Sequence, residues 1–396
     1  MKTIISTILV VFLLLQTCSC IQIVDNGYHP TWQESESATG QGERLPVFPE
    51  SLVYPVWSQA VATAREFFLL KDAVVDVSER TYSYAEMAED LAVLKDRYSS
   101  VFDYYSIGRS VAGREIYVAR VGDPNAEQQI VVSAGIHGRE YLTPLLAMKQ
   151  IEFLLAYAEQ GTCGALSYAT MLQELCFYII PMSNPDGIML SQEGIGSISD
   201  RSLYDKIYSV YYKDYEEKYT KQTDINEYLK IWKSNANAVD LNRNFDAGWS
   251  AVDTGIDRPS HKNYKGRYAA SEPETQALAQ LVNGLSNVRA VLCIHSQGEV
   301  LYWNCGQEGD LRAETLRFTE MLAARTGYEI RPEENRDASF SDWCALEKGL
   351  IAVTVETGVG TCPLDISQFS TIWADNFDLL MRSAAYFLES PQMAEA

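Results

Sequence analysis

The sequence predicts an α/β protein in which buried strands alternate with helices. The run 130–132 is apolar and β-branched, which is typical of a strand buried on both faces. Apolar residues then recur at helical spacing, at Leu145, Met148, Ile151 and Leu155. Two further apolar runs, 288–295 and 351–356, each end in one ionisable residue. Such strand ends meet at one edge of an open sheet, which is where α/β proteins bind ligands.

Size and charge exclude several classes of protein. With 396 residues, 47% of them hydrophobic and 21% charged, the chain can bury a large core. A net charge of −21 opposes binding to nucleic acid, because phosphate contacts need clustered Lys and Arg. We therefore expect no nucleic-acid partner, and we attribute the acidity to solubility. We expect a monomer.

Residues 1–20 are predicted to be a signal peptide for export. The apolar run 4–15 is too short to cross a bilayer. The residues that follow it resemble a bacterial lipoprotein signal, so we expect a lipid at Cys18 or Cys20 to be the only attachment to a membrane. The predicted location is extracellular, or lipid-anchored on the outer face of the membrane.

The rest of the chain divides into three segments. The segment 21–50 is rich in Ser, Glu, Gln, Gly and Pro and is predicted to be a flexible tether, because it cannot bury enough apolar area to order itself. The segment 51–77 is predicted to be an N-terminal extension, partly helical. The segment 78–391 is predicted to be a single domain that carries the chemistry.

Within that domain we predict a helix, a hairpin and a second buried strand, in that order. The helix begins at Tyr82, with Met87, Leu91 and Leu94 on one face. The hairpin turns at Ala112-Gly113. The strand over 175–181 ends in the turn 184–187, which reads Asn-Pro-Asp-Gly.

The segment 200–232 is rich in tyrosine and charged residues and allows two interpretations. It is either a flap that stacks against a sugar or a peptide, or a partly exposed helical insertion that covers the edge of the domain. The cysteines are also left open: six lie in the body of the chain, and six allow fifteen pairings. Cys176 and Cys293 lie in apolar runs and are predicted to be buried thiols.

Three residues at predicted strand ends form a candidate metal site. His137 and Glu140 follow the first buried strand, and His295 ends another, although the whole chain contains only four His. Each residue alone has a structural explanation. An H-x-x-E pair is common by chance, and a single His at a strand end is more often structural. Together they supply the three His or Glu ligands of hydrolytic zinc sites, which leave a fourth position to water. We therefore predict one zinc ion (Zn²⁺) per chain.

Other polar residues suit chemistry at such a site. Glu356 follows an apolar strand, where a carboxylate is costly unless it is paired or functional. We predict that it takes a proton from the water that the ion activates. Asp240 could accept the free imidazole N–H of His137. Asn242 and Arg243 could bind a carboxylate.

Six motifs resemble, in order, those of the zinc carboxypeptidase family. That family includes carboxypeptidase A, itself an example of a zinc site with two His and one Glu. The motifs are His137-Gly138-Arg139-Glu140, Asn184-Pro185-Asp186-Gly187, Asp240-Leu241-Asn242-Arg243-Asn244, His295-Ser296, Asp342-Trp343 and Glu356. The resemblance spans about residues 82–387 and implies a single α/β domain with a mixed, mostly parallel eight-stranded sheet flanked by helices.

The resemblance also implies an activity, the hydrolysis of peptide bonds. It makes His137, Glu140 and His295 the zinc ligands. It makes Glu356 the general base, which later donates a proton to the leaving amine.

Substrate-binding roles follow from the same resemblance for Arg139, Asn242 and Arg243, the last two for the carboxylate of the released residue. The family carries an arginine after the tryptophan that precedes the D-x-N-R-N motif, where it polarises the scissile carbonyl. Here Trp232 is followed by Lys233. We assign Lys233 this role, because a lysine can stabilise an oxyanion without the planar fork of an arginine.

Two further positions depart from the digestive enzymes of the family. Those enzymes carry a tyrosine on a mobile loop, nine residues before the tryptophan of the D-W pair, where this chain has Glu334. The nearest tyrosine is Tyr328, so we assign no catalytic tyrosine. The specificity position before Asp342 is Ser341, which is neither apolar nor acidic.

The segment 356–364 looks like the bacterial branch that includes γ-D-glutamyl-L-diamino acid endopeptidases, which cut cell-wall peptides. In that setting Arg243 would meet a carboxylate of the diamino acid. The expected substrate is thus a peptide or a murein stem peptide. An alternative is a zinc-dependent deacylase or amidohydrolase of the same fold that acts on N-acyl amino acids. A third is a non-enzymatic peptide- or glycan-binding protein, which would lack a ligand or the base; none is missing.

Overall fold

The computed structural model describes residues 73–78, 81–304, 306–333 and 336–389, and the backbone of two strands nearer the N-terminus. These strands, β1 (Thr31–Ser35) and β2 (Glu43–Val47), pair antiparallel within the segment predicted to be a tether. The rest of that segment, the predicted signal peptide and most of the predicted extension lie outside the described residues. Among the helices that are described, none combines the length and the apolar character needed to cross a membrane.

A mixed sheet of eight strands forms the centre of the domain, which confirms the fold that the sequence predicts. In chain order the remaining strands are β3 (Phe102–Arg109), β4 (Glu115–Val121), β5 (Gln128–Ala134), β6 (Thr162–Cys163), β7 (Leu166–Ser167), β8 (Leu175–Ile180), β9 (Val288–His295), β10 (Val300–Asn304), β11 (Glu329–Glu333) and β12 (Ile351–Glu356). The order across the sheet is β11-β10-β12-β9-β5-β8-β4-β3. The central pairs β12–β9, β9–β5 and β5–β8 are parallel, so these strands end at the same edge.

Helices pack on both faces of this sheet. In chain order the α-helices are α1 (Tyr84–Tyr98), α2 (Leu142–Tyr157), α3 (Tyr168–Glu174), α4 (Pro185–Glu193), α5 (Arg201–Glu216), α6 (Ile225–Leu229), α7 (Pro273–Gly284), α8 (Gly309–Thr326), α9 (Phe340–Asp342), α10 (Phe369–Asn376) and α11 (Leu379–Glu389), of which α5 and α6 belong to an insertion described below. Alternate residues of β5 enter different cores, because successive side chains of a strand point to opposite faces. Ile130 and Val132 pack in the core that includes α2, whereas Val131 packs in the core that includes α7.

The first predicted elements are confirmed with small shifts. The helix α1 buries Met87, Leu91 and Leu94 as expected, but it begins at Tyr84 because Ser83 and Glu86 form a capping box. The hairpin between β3 and β4 turns through Gly113, whose φ of 88° is accessible to glycine at no steric cost.

The tyrosine-rich segment folds into a helical insertion with a small core of its own. Buried residues of α5 and α6 pack there together with Trp232. One face of α5 remains open to solvent, where Tyr212 is 57% exposed. The buried carboxylate of Asp214 accepts hydrogen bonds from Tyr228 Oη (2.6 Å) and His261 Nδ1 (2.7 Å). Of the two interpretations, this packing favours the insertion that covers the domain edge.

Asp186, in the Asn-Pro-Asp-Gly turn, fastens the β3–β4 hairpin to α4. Its carboxylate is fully buried. It accepts hydrogen bonds from Ser110 Oγ (2.9 Å), Ala112 N (2.7 Å) and Arg114 Nη1 (2.7 Å). The turn motif is therefore also a link between two distant parts of the chain.

Replacing Asp186 should test this link. We expect Asp186→Ala to lower the free energy of unfolding by about 3–5 kcal/mol, because it leaves a largely buried guanidinium without its partner. Urea denaturation would measure the change. The matched control is Asp205→Ala, which breaks an exposed ion pair with Arg201 and should cost less than about 1 kcal/mol. Equal losses in the two variants would contradict the assignment.

Candidate active site

Three side chains converge where two central strands end. His295 is the last residue of β9, and His137 and Glu140 lie in the loop between β5 and α2. Because β5 and β9 are parallel neighbours, with Ala134 opposite Ile294, their carboxyl ends adjoin. The apolar runs read from the sequence thus place these polar residues at the same edge of the sheet.

The distances between these side chains are short. His137 Nδ1 lies 2.8 Å from Glu140 Oε1, and His295 Nδ1 lies 3.0 Å from Glu140 Oε2. One ligand atom from each residue can be chosen so that all lie within 4.8 Å of one another. At most 4% of each residue is exposed. The structure therefore brings together the three residues that the sequence singled out as metal ligands.

This arrangement fits a zinc ion. Two imidazole nitrogens and a carboxylate are the donor set of many catalytic zinc sites. Burial acts to raise the pKa of Glu140, but His137 and His295 hold this pKa well below its usual range. Glu140 is therefore an anion at neutral pH, as a zinc ligand must be.

Asp240 stands at the other nitrogen of His137. Its Oδ1 lies 3.3 Å from His137 Nε2, a polar contact without the alignment of a hydrogen bond. The carboxylate also accepts hydrogen bonds from Asn242 N (3.2 Å) and Asn263 N (2.9 Å). Burial acts to raise the pKa of Asp240, but Lys233 and His137 hold it well below its usual range. This is the position in which a carboxylate orients a metal-binding histidine.

Glu356 faces the same centre from the neighbouring strand. It ends β12 directly opposite His295 of β9. Its Oε2 atom is buried and accepts no hydrogen bond from any described residue. Burial raises the pKa of Glu356 to about 7; the charge of Glu140 adds to this effect, while His295 and Lys233 oppose it. Such a carboxyl group can both accept and donate a proton near neutral pH.

Lys233 reaches the site through a loop that contacts the His137–Glu140 segment. Its backbone O accepts a hydrogen bond from Gly138 N (3.1 Å). A Cβ on Gly138 would lie 2.8 Å from Trp232 O in this loop, so only glycine permits this approach. Arg139, the next residue, has a buried Nε without a hydrogen-bond partner in the described part of the chain.

The expected carboxylate-binding residues lie against the segment 337–342. Asn242 Oδ1 accepts a hydrogen bond from Phe340 N (3.1 Å), and Arg243 Nη2 lies 3.0 Å from Asp337 Oδ2. Ser341 is buried, and its Oγ lies 3.0 Å from Ser339 Oγ. The hydroxyl at the specificity position is thus engaged within the chain.

Sequence reasoning missed the structural roles of Asn184 and Asp337. The Asn184 side chain caps α4 and donates hydrogen bonds to Ile136 O (3.0 Å) and Ser234 O (3.2 Å), whereas the sequence pattern indicated only a turn there. Nothing in the sequence marked Asp337. The Tyr328 side chain is buried and accepts a hydrogen bond from Asn376 Nδ2 (2.9 Å), so it does not face this site from a mobile loop. Glu334 lies outside the described residues.

Comparisons with known proteins show what this chain is similar to. A sequence model of the zinc carboxypeptidase family matches residues 87–378. Gamma-D-glutamyl-L-diamino acid endopeptidase 1 from Lysinibacillus sphaericus is 29% identical over 305 residues, which are 76% of this chain and 72% of that protein. Carboxypeptidase B from Bos taurus is 27% identical over 208 residues, 50% of this chain and 40% of the relative. The structure of thrombin activatable fibrinolysis inhibitor shares the fold, with a TM-score of 0.61 at 17% identity. The match covers 89% of this chain and 90% of the chain in that structure.

Asp240→Asn should weaken metal binding while keeping the shape of the side chain. We expect zinc affinity to fall by about 10- to 100-fold, because His137 loses the negative charge beside its Nε2. Competition with a chromophoric chelator would measure the affinity. The control is Asp246→Asn, at an exposed position in the same loop, which should bind zinc as the unaltered protein does. Unchanged affinity in Asp240→Asn would remove Asp240 from the site.

Proposed function

We propose that this chain, which belongs to the zinc carboxypeptidase family and is a metallopeptidase, hydrolyses cell-wall peptides with one zinc ion per chain. The observation that carries the proposal is the convergence of His137, Glu140 and His295, with Glu356 opposite His295 in the sheet. Those three residues would hold the ion.

The cell-wall substrate is supported by two observations. The relative from Lysinibacillus sphaericus is, by its name, an endopeptidase at γ-D-glutamyl-L-diamino acid bonds, and it aligns with 76% of this chain. In addition, the segment 356–364 looks like that bacterial branch. We also propose that the protein is exported through its apolar N-terminus, because murein lies outside the cytoplasm. It would act as a monomer and carry a lipid at Cys18 or Cys20.

Each residue has a part in the proposed reaction. When bound, zinc lowers the pKa of water and polarises a carbonyl group. Glu356 accepts a proton from the attacking water at Oε2 and later donates it to the leaving amine. Lys233, whose charge acts on both Asp240 and Glu356, stabilises the negative charge that develops on the scissile carbonyl oxygen. Asn242 and Arg243 receive a carboxylate of the leaving residue.

Glu356→Gln should separate proton transfer from metal binding. We expect kcat/KM for a peptide substrate to fall by about 10²- to 10⁴-fold, because an amide cannot take the proton. The zinc content should not change, since Glu356 is not a ligand. The control is Glu347→Gln, at a partly exposed side chain, which should keep full activity. A Glu356→Gln enzyme with normal turnover would exclude Glu356 as the base.

The substrate class is tested directly with a panel of defined compounds. The purified protein would be incubated with a γ-D-glutamyl-diamino acid stem peptide, with ordinary peptides and with N-acyl amino acids, and the products identified by mass. We expect the stem peptide to be cleaved fastest, at the γ-D-glutamyl bond. Cleavage of N-acyl amino acids alone would instead identify a deacylase of the same fold.

A further inference from the structure

Arg243, which is expected to bind a substrate carboxylate, already has a charged neighbour within the chain. Its Nη2 lies 3.0 Å from Asp337 Oδ2, and the two side chains are 20% and 41% exposed. Its Nη1 donates a hydrogen bond to Asn242 O (2.8 Å). A partly exposed ion pair of this kind adds only about 0–1 kcal/mol to stability. Stability is therefore a weak reason for placing an acid beside the substrate-binding arginine.

The backbone around Asp337 is fixed relative to Arg243. Asp337 N donates a hydrogen bond to Asp342 Oδ2 (2.7 Å), and Asp342 is fully buried. Phe340 N donates to Asn242 Oδ1 (3.1 Å), which joins this segment to the loop that carries Arg243. The two opposite charges are thus presented together by two connected loops, and solvent reaches both.

Other carboxyl groups lie near this arginine. Burial first, and then the charges of Asp342 and Asp337, raise the pKa of Glu333 to about 8, while Arg243 acts in the opposite direction. Glu333 is therefore mostly protonated at neutral pH, and Asp337 is the acid beside Arg243 that can pair with a positive charge on a ligand.

A carboxylate and an ammonium group on one carbon atom match two opposite charges 3.0 Å apart. An ordinary C-terminal residue offers only the carboxylate, because its α-nitrogen belongs to the scissile amide. A diamino acid joined through one amine, with its second amino acid centre free, offers both groups. The Ser341 side chain is small and uncharged, and its hydroxyl contacts Ser339. It therefore does not compete with Asp337 for the ammonium group.

We propose that Asp337 is a specificity-determining residue that binds the free ammonium group of a diamino acid whose neighbouring carboxylate is bound by Arg243. This inference rests on the proposed peptidase function and names the part of the substrate that the site selects. Asp337 discriminates through charge pairing, so its removal should affect one substrate class and spare another.

Three peptides that differ only in the leaving residue test the proposal. The first carries 2,6-diaminopimelate, the second carries 2-aminopimelate, which lacks the distal amine, and the third carries lysine, which lacks the distal carboxylate. We expect the unaltered enzyme to prefer the first peptide over the second by about 10-fold or more, as a charge-assisted hydrogen bond implies. In Asp337→Asn this preference should disappear, mainly through KM, while the second peptide is cleaved at least as well as before.

The control variant is Asp253→Asn, at an exposed position outside both loops, which should keep the preference. Zinc content would be measured in all three proteins. An Asp337→Asn enzyme that keeps the preference, or an unaltered enzyme that cleaves the first two peptides equally, would overturn the role of Asp337 and leave the peptidase function standing. If the unaltered enzyme cleaves none of the peptides, both the proposed function and this inference are wrong.

Discussion

The buried carboxylate of Glu140, held between two imidazole rings, is the constraint on which the active site depends. A carboxylate so deeply buried is unstable unless charges or hydrogen bonds compensate for the lost water. His137 and His295 supply that compensation at 2.8 and 3.0 Å. They can do so only because β5 and β9 are adjacent and parallel, so that two residues far apart in the sequence end their strands side by side. The order of the central strands is therefore a condition for the chemistry as well as for packing.

Around this carboxylate the motif loops are joined through their backbones. Gly138 N bonds to Lys233 O, and Asn184 donates to Ile136 O and Ser234 O. The metal-binding loop, the turn that begins α4 and the segment that carries Lys233 are thus in direct contact. Hydrogen bonds to backbone groups fix the paths of the loops without using the side chains that perform the reaction. This explains why short polar motifs, widely separated in the chain, act as one unit.

The sequence was sufficient to predict the parts of the site that regular structure determines. His295 and Glu356 could be found because each ends an apolar run, and a strand end has a defined place in an α/β sheet. The eight-stranded architecture and the roles of the site residues came from the family resemblance, and the architecture is confirmed. Asp337 could not be found, because its significance depends on where an irregular segment meets Arg243 in three dimensions. The start of α1 was missed by two residues for a local reason, the cap formed by Ser83.

The tyrosine-rich insertion is continuous with the machinery that it adjoins. Asp214, buried in α5, accepts a hydrogen bond from the His261 ring, and the backbone oxygen of His261 accepts one from Lys233 N (2.9 Å). Asp214 and His261 thus connect a surface helix to the lysine beside the metal ligands. Removal of this helix would take away the acceptor of the hydrogen bond from the His261 ring. Exchanging this helix in protein engineering would therefore disturb the loop that holds Lys233.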